Sequence, residues 1–257
     1  MKREQQAKRP RRGWDDLATW YDGWVGQRGS DHHRQLAIPT LLELLELRPG
    51  ERLLDIGCGQ GALASAVIES KAIYMGVDVS ERMLQQARRR HGAAASFVKA
   101  DATKLSGAHG LAGASFDAVA FLLSIQNIDP IGPALAGAAW ALKPGGRLVI
   151  FMTHPCFRVP RQSGWGWDAR RRLSYRRIDR YLGRLAVPLK PLPNRPPVIS
   201  FHRPLEDYFT ALGESGFVVE TLREVAMADP EPVKGPGVNP DIPLFLGLRA
   251  RLAQHGP

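Results

Sequence analysis

Residues 54–61 read Leu-Asp-Ile-Gly-Cys-Gly-Gln-Gly, with three glycines at alternate positions behind an apolar run. Glycines so placed let the main chain turn tightly and approach a ligand that a Cβ would repel. The spacing of Gly57, Gly59 and Gly61 is G-x-G-x-G, not the G-x-G-x-x-G of dinucleotide sites, and it lacks the Gly-Lys-Ser/Thr ending that grips a triphosphate. About twenty residues on, Asp78 closes a second apolar run, where a carboxylate is placed to accept both hydroxyls of an adenosine ribose. The same charge would repel a 2′-phosphate, which argues against NADP. Asp101, in Lys-Ala-Asp-Ala, closes a third run and is suited to accept from an adenine amino group. Chance turn chemistry explains one such aspartate more readily than three successive ones, at Asp55, Asp78 and Asp101, beside the glycines.

A second set of reactive side chains lies further along. His154 comes after the fifth apolar run and is the candidate general base, because an imidazole titrates near neutrality. Its alternative role is to cap the strand end or pack beneath a cap. His202 is a weaker candidate for the same task, and His32 and His33 precede the first long helix. Cys156, after His154-Pro155, offers thiolate chemistry only as a remote alternative. Gln126 stands in the segment 124–129, Ser-Ile-Gln-Asn-Ile-Asp, after the fourth run. Between residues 154 and 203, Arg158, Arg161, Arg176, Arg177, Arg180 and Arg203 interleave with Trp165, Trp167, Tyr175 and Tyr181. Arginine forks grip carboxylate or phosphate and aromatic faces stack on planar rings, so Gln126, Arg158, Arg161, Trp165, Tyr175 and Arg203 are the candidate substrate contacts. A solvated, arginine-rich lid is the plainer reading of the same pattern.

The elements that must position these residues alternate. Apolar runs at 52–56, 72–77, 95–99, 118–123 and 147–152 read as buried strands. Helical periods at 36–47, 62–69, 81–91 and 133–142 fall between or before them, with Ser80 at an N-cap. Lys143-Pro144-Gly145-Gly146 reads as a turn. Strand and helix alternating at this pace imply a parallel sheet covered on both faces. The pattern breaks at residues 154–203, an inserted cap with one expected helix near 175–185, and resumes with a helix at 205–215 and strands at 217–222 and 244–250. Trp14, Trp20, Tyr21 and Trp24 recur at helical spacing, with packing as their default role and a share in a pocket wall as the lesser one. The expected organisation is a disordered basic arm at 1–13, a ligand-binding core at 14–153, the cap at 154–203 and completion of the same domain at 204–257.

In these motifs the sequence resembles the class I S-adenosylmethionine-dependent methyltransferases, especially the ubiquinone/menaquinone C-methyltransferase-like branch (methyltransferase type 11 domain). The resemblance covers roughly residues 14–152 and returns weakly at 203–251. It implies an α/β, Rossmann-like, seven-stranded sheet in the order 3-2-1-4-5-7-6 with the last strand antiparallel, and S-adenosylmethionine as cofactor, with no metal. By the same resemblance Asp55, Gly57, Cys58, Gly59 and Gly61 wrap the methionine part of the cofactor, Asp78 binds ribose, and Val79 and Met83 flank the adenine. Asp101 and Ala102 meet the adenine edge, Phe121 and Leu122 face the cofactor through their backbone, and Tyr21 closes the methionine end. The segment Thr-His-Pro-Cys-Phe at 153–157 departs from the Asn/Asp-Pro-Pro-Tyr motif of adenine-N6 and glutamine methyltransferases and from the cysteine pattern of RNA cytosine-C5 enzymes.

Composition narrows the partners. The 257 residues carry a net charge of +10, and two cysteines exclude a disulfide framework and a four-cysteine metal site, in keeping with a reducing cytoplasm. No apolar run approaches the ~20 residues of a membrane span. Residues 1–12 have a local net charge of +5 and residues 154–203 one of +10, which leaves the remainder near −5. Two basic attachments on an acidic core suit either a small anionic or aromatic acceptor held under a lid, or RNA. A third reading is a non-catalytic protein that binds S-adenosylmethionine. The sequence does not fix the oligomeric state.

Overall fold

The computed structural model describes residues 13–15, 18, 33–189, 197–227 and 239–253. Tyr21, His32 and the basic arm before residue 13 lie outside the described residues. The expected core forms one seven-stranded sheet. Its strands are β1 (Arg52–Ile56), β2 (Ile73–Asp78), β3 (Ser96–Lys99), β4 (Phe116–Leu122), β5 (Leu142–Thr153), β10 (Phe217–Val225) and β11 (Phe245–Leu252). They lie in the order β3-β2-β1-β4-β5-β11-β10, with β11 antiparallel to both its neighbours and the first five strands parallel. This is the Rossmann-like order that the resemblance implies.

Side-chain alternation along each strand builds two cores, one per face. Leu54, Val119, Phe121, Leu148 and Ile150 point to one side, where α4 (Ile131–Ala141) and α5 (Leu205–Glu214) cover them with Leu135, Ala138, Tyr208 and Leu212. Leu53, Ala118, Ala120, Val149 and Phe151 point to the other. There α1 (Ile38–Leu45), α2 (Ala64–Glu69) and α3 (Glu81–His91) supply Leu41, Leu45, Val67, Leu84 and Ala87. Burial on both faces explains why the central strands read as continuous apolar runs. Ser80 caps α3 by accepting from Met83 N at 3.2 Å, as its position predicts. Asp15 reaches the same cap and accepts from Ser80 Oγ at 2.7 Å, which ties the N-terminal segment to it.

Two expectations are corrected. Lys143-Pro144-Gly145-Gly146 does not precede the fifth strand but lies within it. Phe116 pairs with Leu142 and Ala118 with Arg147, so the extra residues form an irregularity in β5, with Gly145 at φ +71°. The second correction concerns the cap, where no helix forms near 175–185. Instead β6 (Ser163–Asp168) and β7 (Leu173–Ile178) pair antiparallel, and β8 (Leu185–Pro188) pairs antiparallel with β9 (Ile199–His202). The period-2 alternation was hidden because glycines and arginines, not apolar residues, alternate with the aromatics. Gly166 in particular leaves room for the Tyr175 ring, with which a Cβ there would overlap. No helix among the described residues is long and apolar enough to cross a membrane.

Candidate active site

Beyond the carboxyl ends of β1, β2 and β4 lies a cavity of about 560 Å³, the position that ligands of open α/β sheets occupy. Its floor is the glycine turn. Gly57 N and Cys58 N both donate to Val77 O, at 2.8 and 3.0 Å, so the turn hangs on the end of β2. Gly57 has φ +73°, and a Cβ there would lie 2.6 Å from Ser124 Cβ. Only glycine meets both constraints. Asp78 locks the same turn from the side: Oδ2 accepts from Gly59 N at 2.9 Å and Oδ1 from Ser80 N at 2.8 Å. Each carboxylate oxygen has a second lone pair, so the group retains acceptor capacity toward the cavity. Burial pushes the Asp78 carboxyl above its usual range, against the hydrogen bonds from Ser80 and Gly59.

Of the cofactor residues expected from the sequence, Gly57, Gly59, Asp78, Val79, Met83, Asp101, Ala102 and Leu122 line this cavity. Asp101 Oδ1 accepts from Thr103 N at 2.9 Å and Thr103 Oγ1 at 2.7 Å, which caps the 3-10 turn 102–107. Asp55, Cys58, Gly61 and Phe121 are not in the wall. Asp55 is buried beneath the turn, where Tyr74 Oη donates to Oδ2 at 2.7 Å and Oδ1 has no partner. Burial raises its pKa to about 7, against the Tyr74 hydrogen bond and with the Asp78 charge adding to the rise. Cys58 packs against Gly76, whose Cβ would meet Sγ at 2.7 Å, and Gly61 packs against His91 and Phe97. Phe121 points into the core, so its side chain serves the sheet.

Of the expected substrate contacts, Gln126 and Arg158 line the cavity, whereas Arg161, Trp165, Tyr175 and Arg203 do not. Gln126 Nε2 donates to Leu123 O at 2.8 Å, and its Oε1 is buried without a partner. Arg203 is buried and donates to Ile128 O at 2.8 Å and Asp129 Oδ1 at 2.9 Å, so it fixes the loop after β4 from behind. Arg161 is exposed and donates to Pro188 O at 3.2 Å, and Tyr175 is exposed on the β6–β7 hairpin. Trp165 lies under the Arg176 guanidinium at 5.1 Å, and Arg176 also donates to Phe157 O and Ser163 Oγ.

His154 is 2% exposed and outside the cavity wall. Its Nε2 is 2.9 Å from Glu224 Oε1, and Nδ1 accepts from Cys156 N at 3.1 Å. Burial lowers its pKa, with Glu224 opposing, so the ring is neutral at neutral pH. Both nitrogens are engaged, and the residue holds the turn after β5, which Arg158 N closes by donating to His154 O at 2.8 Å. His202 is likewise buried, its Nε2 2.6 Å from Tyr181 O.

Trp14 and His33 enter the wall from the N-terminal segment, Trp14 thus taking the lesser of its two expected roles. Other wall residues escaped prediction. Thr153, Leu189, Ser200 and Phe245 come from the ends of β5, β8, β9 and β11. No local pattern marks these four, because separate segments bring them together.

The family model described as a methyltransferase domain matches residues 54–150. A 27-O-demethylrifamycin SV methyltransferase of Amycolatopsis mediterranei is 30% identical over 84% of this chain and 70% of its own. A demethylmenaquinone methyltransferase of Beutenbergia cavernae is 35% identical over 55% of this chain, and the match spans only 58% of that relative's length. A crystal structure of an S-adenosylmethionine-dependent methyltransferase from Mesorhizobium loti superposes with a TM-score of 0.68, at 30% identity, over 83% of this chain and 96% of that one. The chain belongs to the class I S-adenosylmethionine-dependent methyltransferases. Its cofactor is S-adenosylmethionine, and the glycine floor, the Asp78 carboxylate and the apolar Val79, Met83 and Ala102 beside it fit an adenosine in size and chemistry.

Proposed function

We propose that this methyltransferase acts on a small-molecule acceptor held between the cofactor cradle and the segment 154–203. The observation that carries this reading is the continuity of one cavity. It runs from Gly57 and Asp78 past Leu122 and Gln126 to Arg158, Ser200 and Phe245. Its volume falls in the 300–1,000 Å³ range of pockets that enclose small ligands. Relatives named for methylating a rifamycin and a demethylmenaquinone support the same class of acceptor.

In this reading Asp78 takes the ribose hydroxyls, Val79, Met83 and Ala102 sandwich the adenine with Asp101 at its edge, and Gly57 and Gly59 admit the methionine part. Bound there, the cofactor supplies a methyl group already activated by a sulfonium. The chain's own work is alignment and exclusion of water. Gln126 lines the acceptor side, Arg203 holds Ile128 and Asp129 in place, and Phe245 and Leu189 keep the far wall dry. His154 acts as a positioning residue for the turn after β5.

The test is incubation with methyl-labelled S-adenosylmethionine and a cell extract split into RNA, protein and small-molecule fractions. Label in the small-molecule fraction is expected. Label confined to RNA would transfer the acceptor role to the basic cap, and cofactor binding with no label in any fraction would leave a non-catalytic binder.

A further inference from the structure

The cap side of the cavity carries a cation that no carboxylate answers among the described residues. Arg158 stands in the wall, and its guanidinium lies over the Phe245 ring, 5.1 Å from the centroid. Three other arginines of this segment are paired with carboxylates, Arg203 with Asp129, Arg184 with Asp207 and Arg177 with Asp179, whereas Arg158 is the arginine of the segment that lines the cavity. Burial, with the like charge of Arg176 adding to it, pushes the Arg158 pKa below the usual arginine value. A guanidinium does not give up its proton in a protein, and a half-buried charge in a cavity wall favours a partner. With the Phe245 ring on one side, the guanidinium makes no hydrogen bond among the described residues, and its N–H fork matches two oxygens of a carboxylate or phosphate. The placement is enforced from outside. Arg158 N donates to His154 O, Cys156 N donates to His154 Nδ1, and Glu224 holds the other ring nitrogen.

We propose that the acceptor is a small organic anion, whose carboxylate or phosphate oxygens are received by the Arg158 fork. The inference rests on the small-molecule reading above and deepens it. Gln126 lines the same cavity and stands beside the acceptor. An anionic group has one competing source, the carboxylate of the cofactor itself, and the experiment separates the two.

The small-molecule fraction of the extract is divided on an anion-exchange resin at neutral pH into retained and unretained pools. Each pool is incubated with methyl-labelled S-adenosylmethionine and wild-type, Arg158→Gln or Arg158→Lys protein. S-adenosylhomocysteine affinity is measured on the same proteins by calorimetry, and folding by thermal melting. The expected result is label from the retained pool only, reduced at least tenfold in Arg158→Gln and partly restored in Arg158→Lys, with S-adenosylhomocysteine affinity unchanged within twofold. Label from the unretained pool, or undiminished label in Arg158→Gln, overturns the proposal. A tenfold loss of S-adenosylhomocysteine affinity in Arg158→Gln also overturns it, because the fork then serves the cofactor. An absence of label from both pools would instead sink the small-molecule reading, and this inference with it.

Discussion

Asp55 gives the sharpest physical test of the site's foundation. The carboxyl is 1% exposed, receives one hydrogen bond from Tyr74, and has an oxygen with no partner. Burial, the largest cause, raises its pKa from 3.8 to about 7. The native state therefore holds a proton that the unfolded chain releases above about pH 4, and stability falls as pH rises through this window. About three pKa units at 1.36 kcal/mol each make the full penalty about 4 kcal/mol above pH 7. Asp55→Asn keeps the shape and an acceptor for Tyr74 but cannot ionise. Urea unfolding of the cofactor-free proteins between about pH 5 and pH 8 should show wild type losing about 3 kcal/mol relative to the variant, with the variant ahead at the alkaline end. Tyr74 and Cys58, both pushed above their usual values by burial, stay protonated across this range and cancel from the comparison. A constant offset between the two proteins across the whole range would refute the reasoning, since Asp55 would then titrate as an ordinary carboxylate.

The geometry sets three further outcomes. Asp78→Ala should lower S-adenosylmethionine affinity at least roughly tenfold by calorimetry, since it removes the ribose acceptor and releases Gly59 N and Ser80 N; unchanged affinity would remove Asp78 from the cofactor site. His154→Gln should melt earlier, by about 1–3 kcal/mol for the lost Glu224 contact, while turnover keeps the shape of its pH profile. A loss of roughly a hundredfold in turnover with an unshifted melt would make His154 a base after all. Arg176→Ala should lose about 1–3 kcal/mol of local stability from its bonds to Phe157 and Ser163 and its stack on Trp165. The readout is faster proteolytic nicking at the hairpin tip, 170–172, and an unchanged nicking rate would show that other contacts hold the hairpin.

The cofactor half of the molecule was legible because its constraints are local. Gly57 and Gly59 answer to a positive φ and a close approach, and Asp78 and Asp101 to the last positions before their loops. Such demands leave a mark within a few residues of sequence. Asp55 shows the limit of that reading: it stands in the motif, yet it faces Tyr74 under the turn and not the cavity. The acceptor half was less legible for the opposite reason. Gln126 and Arg158 were found as members of suggestive segments, but Ser200, Leu189 and Phe245 become wall residues only when β8, β9 and β11 converge. His154 looked reactive by type and place, and only tertiary contacts to Glu224 and Cys156 reveal that its nitrogens are engaged.

The charge of residues 154–203 carries a related lesson about partners. Counted along the chain, twelve basic residues in fifty suggest a nucleic-acid surface. In the fold part of that charge is paired with carboxylates: Arg177 with Asp179, Arg184 with Asp207 and Arg203 with Asp129. Among the described residues the exposed basic side chains of the segment include Arg161, Arg180 and the hairpin tip, where Arg170 and Arg172 are exposed, Arg171 meets Asp168 only at 3.9 Å, and Trp167 and Tyr175 are partly exposed nearby. Affinity for a phosphate backbone grows with the number of cations that can reach it, and pairing lowers that number. Arg158 is different in kind, since it lies over the Phe245 ring and lines a cavity of small-molecule size. A single half-buried cation contributes little to non-specific attraction and much to the choice of one anionic ligand over a neutral one, because an uncharged competitor would leave it without a partner. The placement of Arg158 thus agrees with the proposed selection among small acceptors.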